Sequence, residues 1–454
     1  AHGRAPLLAS PLHAMRYLLL ILFFAGCQAA TDPTPSGPPN IVLVFADDLG
    51  YGDLGIYGHP TILTPNLDRL AAEGVKLTSF YVPSALCSPS RMSLLSGRYP
   101  MRTGIPYVLG PDDTTGIRPS EITLAEALKE RGYRTAAIGK WHLGVEPHQL
   151  PTANGFDQYY GILYSNDMMP PWVQTERPLR LYRGTEPADE YPVDQTTLTR
   201  RYTDEAVRFI RDSGEEPFFL YLPHSMPHLP IYASPEFAGR SAGGRYGDVI
   251  EEIDWSVGQL MATLDELGLA ENTLFIFTSD NGPWSNMPPR MYDTDSDAIQ
   301  RWDAGSTGPL RGAKGTTWEG GHRVPGIVRF PGRIPAATVS TEMASTLDLY
   351  PTLLRLAGAE IPADRVIDGR DIWGLLAEAG PTPHNYLYYA NGEHIEAVRD
   401  TRWKLRIQGD AAELFDLRED PYERFDVAAA HPEVVIQLTE AIEAEANAHQ
   451  ITNR

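Results

Sequence analysis

Cysteine is nearly absent from this chain: 454 residues carry two, Cys27 and Cys87. Two cysteines close one disulfide at most, so no disulfide framework holds this protein together. Basic charge is also short. The 38 Lys and Arg face 59 Asp and Glu, a formal net charge of −21, which argues against non-specific nucleic-acid binding. The same acidity repels polyanions at long range. An anionic ligand would therefore need a local cluster of Lys, Arg or metal. No internal repeat is evident. What the chain has in quantity is apolar residues, 42%, with 40 Gly and 39 Pro. That is ample for a packed core, rich in loops, with more than one domain.

The N-terminus reads as a targeting segment. Met15 and Arg16 supply a start and a positive charge, and residues 17–25 form an apolar run. That run has the length of a signal h-region and is too short to span a bilayer. Phe24-Ala25-Gly26-Cys27 resembles a bacterial lipobox, so Cys27 is expected to carry a lipid anchor on an exported protein, periplasmic or at the cell surface. Simple secretion is the alternative. Residues 1–14 precede the start as an extension, 15–27 are the signal, and 28–39 form a Pro-rich tether.

Asn40–Ala46 (NIVLVFA) is a continuous apolar run, as expected of a strand buried on both faces of a parallel sheet. Helical segments are expected at 65–73, 88–96, 123–131, 202–211 and 246–267. Strands are expected at 135–138, 217–222, 273–278 and 325–330. Alternating strands and helices predict an α/β fold with a large, mostly parallel sheet sandwiched by helices. After about residue 375 the pattern changes. Strands at 386–389, 397–407 and 413–417, then a helix at 432–446, predict a small antiparallel C-terminal subdomain. The expected division is 40–375 and 376–454.

The polar residues of interest sit just after the buried strands, where open α/β sheets bind ligands. Asp47 and Asp48 follow the first strand; adjacent carboxylates repel unless a cation lies between them, and hard divalent cations take such oxygens. Asp280 and Asn281 repeat the pattern after TLFIFTS. Each pair alone also reads as an exposed loop or an Asx turn; together they suggest one metal site. Lys140 and His142 follow a third strand. His224 and His228 follow PFFLYL. Lys314 lies in a Gly-rich loop without the Gly-Lys-Ser/Thr ending of a nucleotide P-loop. Cys87 opens a helix, beside unpaired N–H groups that favour anionic chemistry; a small buried structural cysteine, or a Cys27–Cys87 disulfide, are the alternatives.

Cys87-Ser88-Pro89-Ser90-Arg91 resembles the modification motif of the formylglycine-dependent sulfatases. The resemblance extends from NIVLVFADDLGYGDLGIYG through IGKWHLG, PFFLYLPHSMPH, FTSDNG and KGTTWEGG to ELFDLREDPYE. It covers nearly the whole chain and is that of a type I sulfatase of the alkaline phosphatase superfamily. GHPTILTPNLDRLAAEG and HLPIYASPEFAGRSAGGRYGD are similar to the arylsulfatase A and N-acetylgalactosamine-6-sulfatase branch. The resemblance implies one calcium, with magnesium as the alternative, on Asp47, Asp48, Asp280 and Asn281 together with the residue derived from Cys87. It implies that a formylglycine-generating enzyme oxidises Cys87 to an aldehyde whose hydrate is the nucleophile, forming a sulfated-enzyme intermediate. Arg91 and Lys140 would neutralise the hydrate and the sulfate. His142 would be the base. His228 with Lys314 would bind sulfate and help protonate the leaving alcohol. His224 would at most line the substrate pocket.

The implied substrate is a sulfated small molecule or glycan. Residues 164–194, with Arg177, Arg180 and Arg183, are expected either to shape the leaving-group side or to form a surface excursion. A phosphonate monoester or phosphodiester hydrolase with the same site is the alternative activity. A non-catalytic glycan-binding relative is the alternative from another class.

Overall fold

The structure is a computed structural model describing residues 1–3, 37–188, 191–294, 296 and 298–448. The signal segment, the Cys27 lipobox and most of the tether lie outside the described residues. Fifteen strands are described: β1 Asn40–Ala46, β2 Val75–Tyr81, β3 Arg134–Ile138, β4 Gln158–Ile162, β5 Leu181–Arg183, β6 Glu186–Pro187, β7 Phe218–Pro223, β8 Thr273–Ser279, β9 Arg323–Arg329, β10 Thr338–Ser340, β11 Ala344–Ser345, β12 Leu387–Asn391, β13 His394–Arg399, β14 Trp403–Gln408 and β15 Ala411–Asp416.

The first eleven form one sheet in the order β10-β2-β9-β8-β1-β7-β3-β4-β5-β6, with β11 also on β2. Its middle, β8-β1-β7-β3-β4, is parallel throughout. β9 runs antiparallel to both β2 and β8, so the sheet is mixed. Every residue of β1, β7 and β8 is buried. That explains their mostly apolar sequence, with the polar residues Asn40, Thr273, Thr278 and Ser279 at the strand ends. The helices Pro65–Ala72, Leu198–Asp212 and Gly244–Glu266 pack together, as do Cys87–Ser96 and Leu349–Ala357. Helix Leu124–Lys129 starts with a capping box, Thr123 accepting from Glu126 N and Glu126 from Thr123 N, which fixes its start.

β12 to β15 form an antiparallel four-stranded sheet. Helix Pro432–Ala448 packs on it through Leu438 and Ile442, against Ile395, Val398, Leu405 and Leu414. The single strand expected at 397–407 is a correction. The chain turns at 400–402, because the Asp400 carboxylate accepts from the backbone N–H groups of Arg402 and Trp403 at 2.7 and 2.6 Å. That Asx turn ends β13 and starts β14. β2 was not anticipated: Lys76 and Thr78 interrupt its apolar residues, since their positions are only half-buried.

Candidate active site

The carboxyl ends of the five parallel strands carry the site. Asp47 and Asp48 follow β1, Lys140 and His142 follow β3, Ser165 follows β4, His228 follows β7, and Asp280 and Asn281 follow β8. The loop after β3 is pinned by backbone bonds from Gly139 to Tyr160, Lys140 to Pro223 and His142 to Leu163. Gly139 has φ +130°, and a Cβ there would lie 1.9 Å from the Pro223 carbonyl oxygen. Only glycine lets β3 and β7 approach this closely.

Three carboxylates meet three cations. Lys140 Nζ lies 2.5 Å from Asp47. Lys314 Nζ lies 2.7 Å from Asp48. Arg91 donates through Nε and Nη2 to Asp280 at 3.1 and 2.7 Å, and its Nη2 is 3.4 Å from Asp47. A third donation, from Nη1 to the Lys140 carbonyl, locks the guanidinium. Arg91, Lys140, Asp47, Asp280 and Asn281 are all fully buried. Burial pushes Asp47 up, but Lys140, Arg91 and Lys314 outweigh it and hold the carboxyl below its ordinary value. Burial pushes Asp48 up to about 7; Lys314 opposes this, while Asp47 and Asp280 add to it.

Cys87 is the first residue of the helix Cys87–Ser96, every residue of which is buried. Its thiol donates to Asp47 Oδ1 at 3.7 Å. The helix start does not acidify it. Burial pushes the thiol up to about 12, with Lys140 and Lys314 pulling the other way. Reactive thiols are instead acidified and partly exposed.

The two histidines after β3 and β7 have defined proton positions. His142, at φ +61°, donates from Nε2 to the Leu109 carbonyl at 2.8 Å. Nδ1 is left as a buried acceptor without a partner among the described residues. Burial, then Lys140 and Arg91, hold the ring well below its ordinary pKa, so it is neutral. His228 donates from Nδ1 to the Leu229 carbonyl at 2.6 Å, and its Nε2 lies 3.6 Å from Asp48.

His224 is fully buried, and its Nε2 meets Ser256 Oγ at 3.2 Å and its ring lies against Tyr202. Both partners are on helices, Leu198–Asp212 and Gly244–Glu266. Of the arginines expected on the leaving-group side, Arg183 pairs with Glu205 and Arg180 stacks on Tyr191. Arg177 lines a cavity of about 610 Å³ with Trp172, Gln195 and Tyr232.

Three residues were not singled out by the sequence, although Ser165 and Asp167 fall within 164–194. Ser165 Oγ accepts from Lys140 Nζ at 3.1 Å and lies 3.4 Å from His228. Asp167, two residues on, is buried. Trp284 stacks near His228, with ring centres 5.7 Å apart, and under Lys314 Nζ at 4.8 Å. None belongs to a motif that sequence spacing alone could flag, although all three follow sheet strands or the Asn281-Gly282 turn.

The site holds a candidate metal-binding cluster. One oxygen or sulfur or nitrogen each from Asp47, Asp48, Cys87 and His228 lie within 4.8 Å of one another. Asn281 Oδ1 is buried without a partner among the described residues, while its Nδ2 donates to Asp48. An orphaned amide oxygen beside carboxylates is what an oxygen-seeking ion would satisfy. This tight group includes His228, which was not expected as a ligand. Asp280 borders it through the Asp48 N–H.

The model of the sulfatase family matches residues 39–359. The chain belongs to the sulfatase family. A second model, the C-terminal region of N-sulphoglucosamine sulphohydrolase, matches residues 313–448. The chain is 42% identical to dog (Canis lupus familiaris) N-acetylgalactosamine-6-sulfatase, over 86% of this chain and 75% of that one. It is 40% identical to human (Homo sapiens) arylsulfatase A, over 92% and 89%. Among solved structures it is similar to the PsFucS1 sulfatase from Pseudoalteromonas sp., with TM-score 0.80 and 32% identity over 90% of each chain. A phosphonate monoester hydrolase of Agrobacterium radiobacter shares the fold, with TM-score 0.63 at 21% identity over 90% of this chain and 96% of that one. This sulfatase therefore hydrolyses sulfate esters. No described helix is long and apolar enough to cross a membrane.

Proposed function

We propose that this sulfatase cleaves a sulfate monoester on a carbohydrate, using a formylglycine made from Cys87. The observation that carries this reading is the cation cluster. Arg91, Lys140 and Lys314 converge on the carboxylates beside Cys87, in a protein that is otherwise strongly acidic. A sulfate monoester is an anion, and attack on it needs its charge cancelled first. As the site stands, three carboxylates and three cations balance. One divalent cation, calcium or magnesium, on Asp47, Asp48, Asp280, Asn281 and the Cys87-derived oxygen would add the positive charge that polarises a sulfuryl oxygen.

The thiol itself is a poor nucleophile here, buried and protonated. An aldehyde hydrate at position 87 supplies a hydroxyl to attack sulfur and a second hydroxyl through which sulfate is expelled. The residues present fit that work. His142 is neutral, with Nε2–H committed to Leu109 and Nδ1 open to take a proton. Arg91 and Lys140 hold charge at the nucleophile side. Lys314 would bind the sulfate and supply the proton to the departing alcohol, with His228 beside it, and Ser165 bridges Lys140 and His228.

N-acetylgalactosamine-6-sulfatase is named for a sulfated amino sugar, which favours a carbohydrate; 36% identity to mouse (Mus musculus) steryl-sulfatase over 93% of this chain and 84% of that one keeps a non-sugar alcohol as the outcome that the substrate test must exclude. A formylglycine-generating enzyme would mature the protein, and export with a lipid on Cys27 would place it outside the cytoplasm. We assign residues 40–375 to catalysis and 376–454 to a C-terminal subdomain. The test is sulfate release from an aryl sulfate and from sulfated monosaccharides, against an aryl phosphonate. Faster turnover of the phosphonate would favour the alternative hydrolase.

A further inference from the structure

Lys314 reaches the site on a loop, residues 311–318, in which Gly312 and Gly315 take left-handed φ of +82° and +76°. Such a segment is held by its contacts, not by a backbone ladder. On the catalytic side Lys314 N donates to the Pro283 carbonyl at 3.0 Å, and Gly315 N to the Ala85 carbonyl at 2.9 Å.

The other anchors come from the C-terminal four-stranded sheet. Arg406 on β14 donates from Nε to Thr317 Oγ1 at 3.0 Å, and Thr317 donates onward to Glu396 on β13 at 3.1 Å. Two guanidiniums stack on the Trp318 ring, Arg311 at 3.5 Å and Arg406 at 4.2 Å from its centre. The edge of that ring meets Phe415 on β15. Glu423 follows β15. Its Oε2 accepts from Glu319 N at 2.8 Å, and its carbonyl accepts from Arg311 Nη1 at 2.9 Å. Glu423 makes both contacts at φ +55°, a conformation uncommon outside glycine.

Arg406 is itself fixed. It is buried, and Nη1 and Nη2 donate to Glu413 and Gln408 at 3.1 and 3.2 Å. With every donor nitrogen engaged and one face on Trp318, the guanidinium has a single orientation. Apolar burial is non-directional and would join the sheet to the loop without setting the angle between them. A satisfied buried polar network does set it. Placement matters for a group that acts on a reacting atom, because a shift of about 1 Å costs about 10²-fold in rate.

We propose that Arg406 is a positioning residue for the sulfatase reaction: through Thr317 and Trp318 it orients the loop that presents Lys314. The C-terminal sheet then serves turnover without touching substrate. This rests on the reading of Lys314 as the group that binds sulfate and protonates the leaving alcohol.

The experiment measures kcat/KM on 4-nitrophenyl sulfate, per formylglycine-bearing chain. It compares wild type, Thr317→Val, Thr317→Ser, Arg406→Met and Lys314→Ala, and the two doubles that add Thr317→Val or Arg406→Met to Lys314→Ala. Valine keeps the shape of threonine and removes the hydroxyl, and serine restores the hydroxyl. Thr317→Val and Arg406→Met are each expected to lose about tenfold, and Thr317→Ser to stay within about twofold of wild type. In the Lys314→Ala background the same two changes should cost less than about twofold, since nothing is left to position. A change that only lowers the folded fraction would cost the same in both backgrounds. The contact is cut from either side, so a variant that does not fold leaves the other as the test. Wild-type turnover by folded Thr317→Val or Arg406→Met, or the same loss repeated in the Lys314→Ala background, overturns the positioning role and leaves Lys314 in its place. Wild-type turnover by Lys314→Ala overturns the reading of Lys314 and this proposal together.

Discussion

Replacing Glu319 by Gln removes the centre of a buried cluster that ties the four-stranded sheet to the Lys314 loop. Glu319 is fully buried. It accepts from the Tyr81 and Tyr389 hydroxyls, each at 2.7 Å, and pairs with Lys404 at 3.1 Å. Lys404 also pairs with Glu423 at 2.7 Å. Burial pushes Glu319 up, but Lys404, Arg399 and Arg323 outweigh it and bring the carboxyl down to about 2 from an ordinary 4.5. That drop corresponds to about 3 kcal/mol, and breaking a buried ion pair costs about 3–5 kcal/mol. The two figures agree. At about 2.1 cal/mol/K per residue, a folded unit of roughly 400 residues has an unfolding entropy of about 0.8 kcal/mol/K, so Tm should fall by about 4–6 °C. The assay is thermal unfolding of wild type and Glu319→Gln from pH 7 downward. Because the folded carboxyl lies below its unfolded value, its contribution is whole above about pH 4.5 and disappears as pH falls toward about 2. The gap in Tm should shrink to less than half by about pH 3. An unchanged Tm at pH 7, or a gap that stays constant on acidification, would refute the reasoning.

Other consequences can be checked directly. Exhaustive chelation should abolish sulfate release, and calcium should restore it; activity indifferent to metal removal would eliminate the cation from the mechanism. Gly139→Ala puts a Cβ at 1.9 Å from a carbonyl oxygen at a left-handed φ, a cost above about 3 kcal/mol; soluble, fully active Gly139→Ala protein would show that β3 and β7 can part more easily than the geometry allows. His142→Ala should slow turnover by about 10² or more with little change in Tm, and wild-type turnover would remove His142 as the base.

Much of this was legible in the sequence, for a physical reason. Strands buried on both faces are written as mostly apolar runs, so Ala46, Ile138 and Ser279 announce their ends, and the polar residues beyond them fall at one edge of the sheet. The family motifs then give an order to those residues. What was not legible depends on pairing at a distance. Glu319 finds Lys404 85 residues away, and neither spacing nor composition marks the partnership. Ser165 and Asp167 follow β4, a strand whose polar start hid it. His224 and His228 are both plausible from the sequence, and only the path of the chain after Pro223 shows that His224 turns toward Ser256. The break between β13 and β14 rests on one side chain, Asp400, in a run whose propensity favours a continuous strand.

The central claim is that Cys87 works only after it has stopped being a cysteine. The direct measurement is peptide mass spectrometry of the Cys87 segment, set against specific activity on an aryl sulfate. The preparations would be made with graded amounts of a formylglycine-generating enzyme. Activity should rise in proportion to the aldehyde-bearing fraction and extrapolate to zero when every chain carries the thiol. Full turnover by protein whose Cys87 is wholly unmodified would contradict the account.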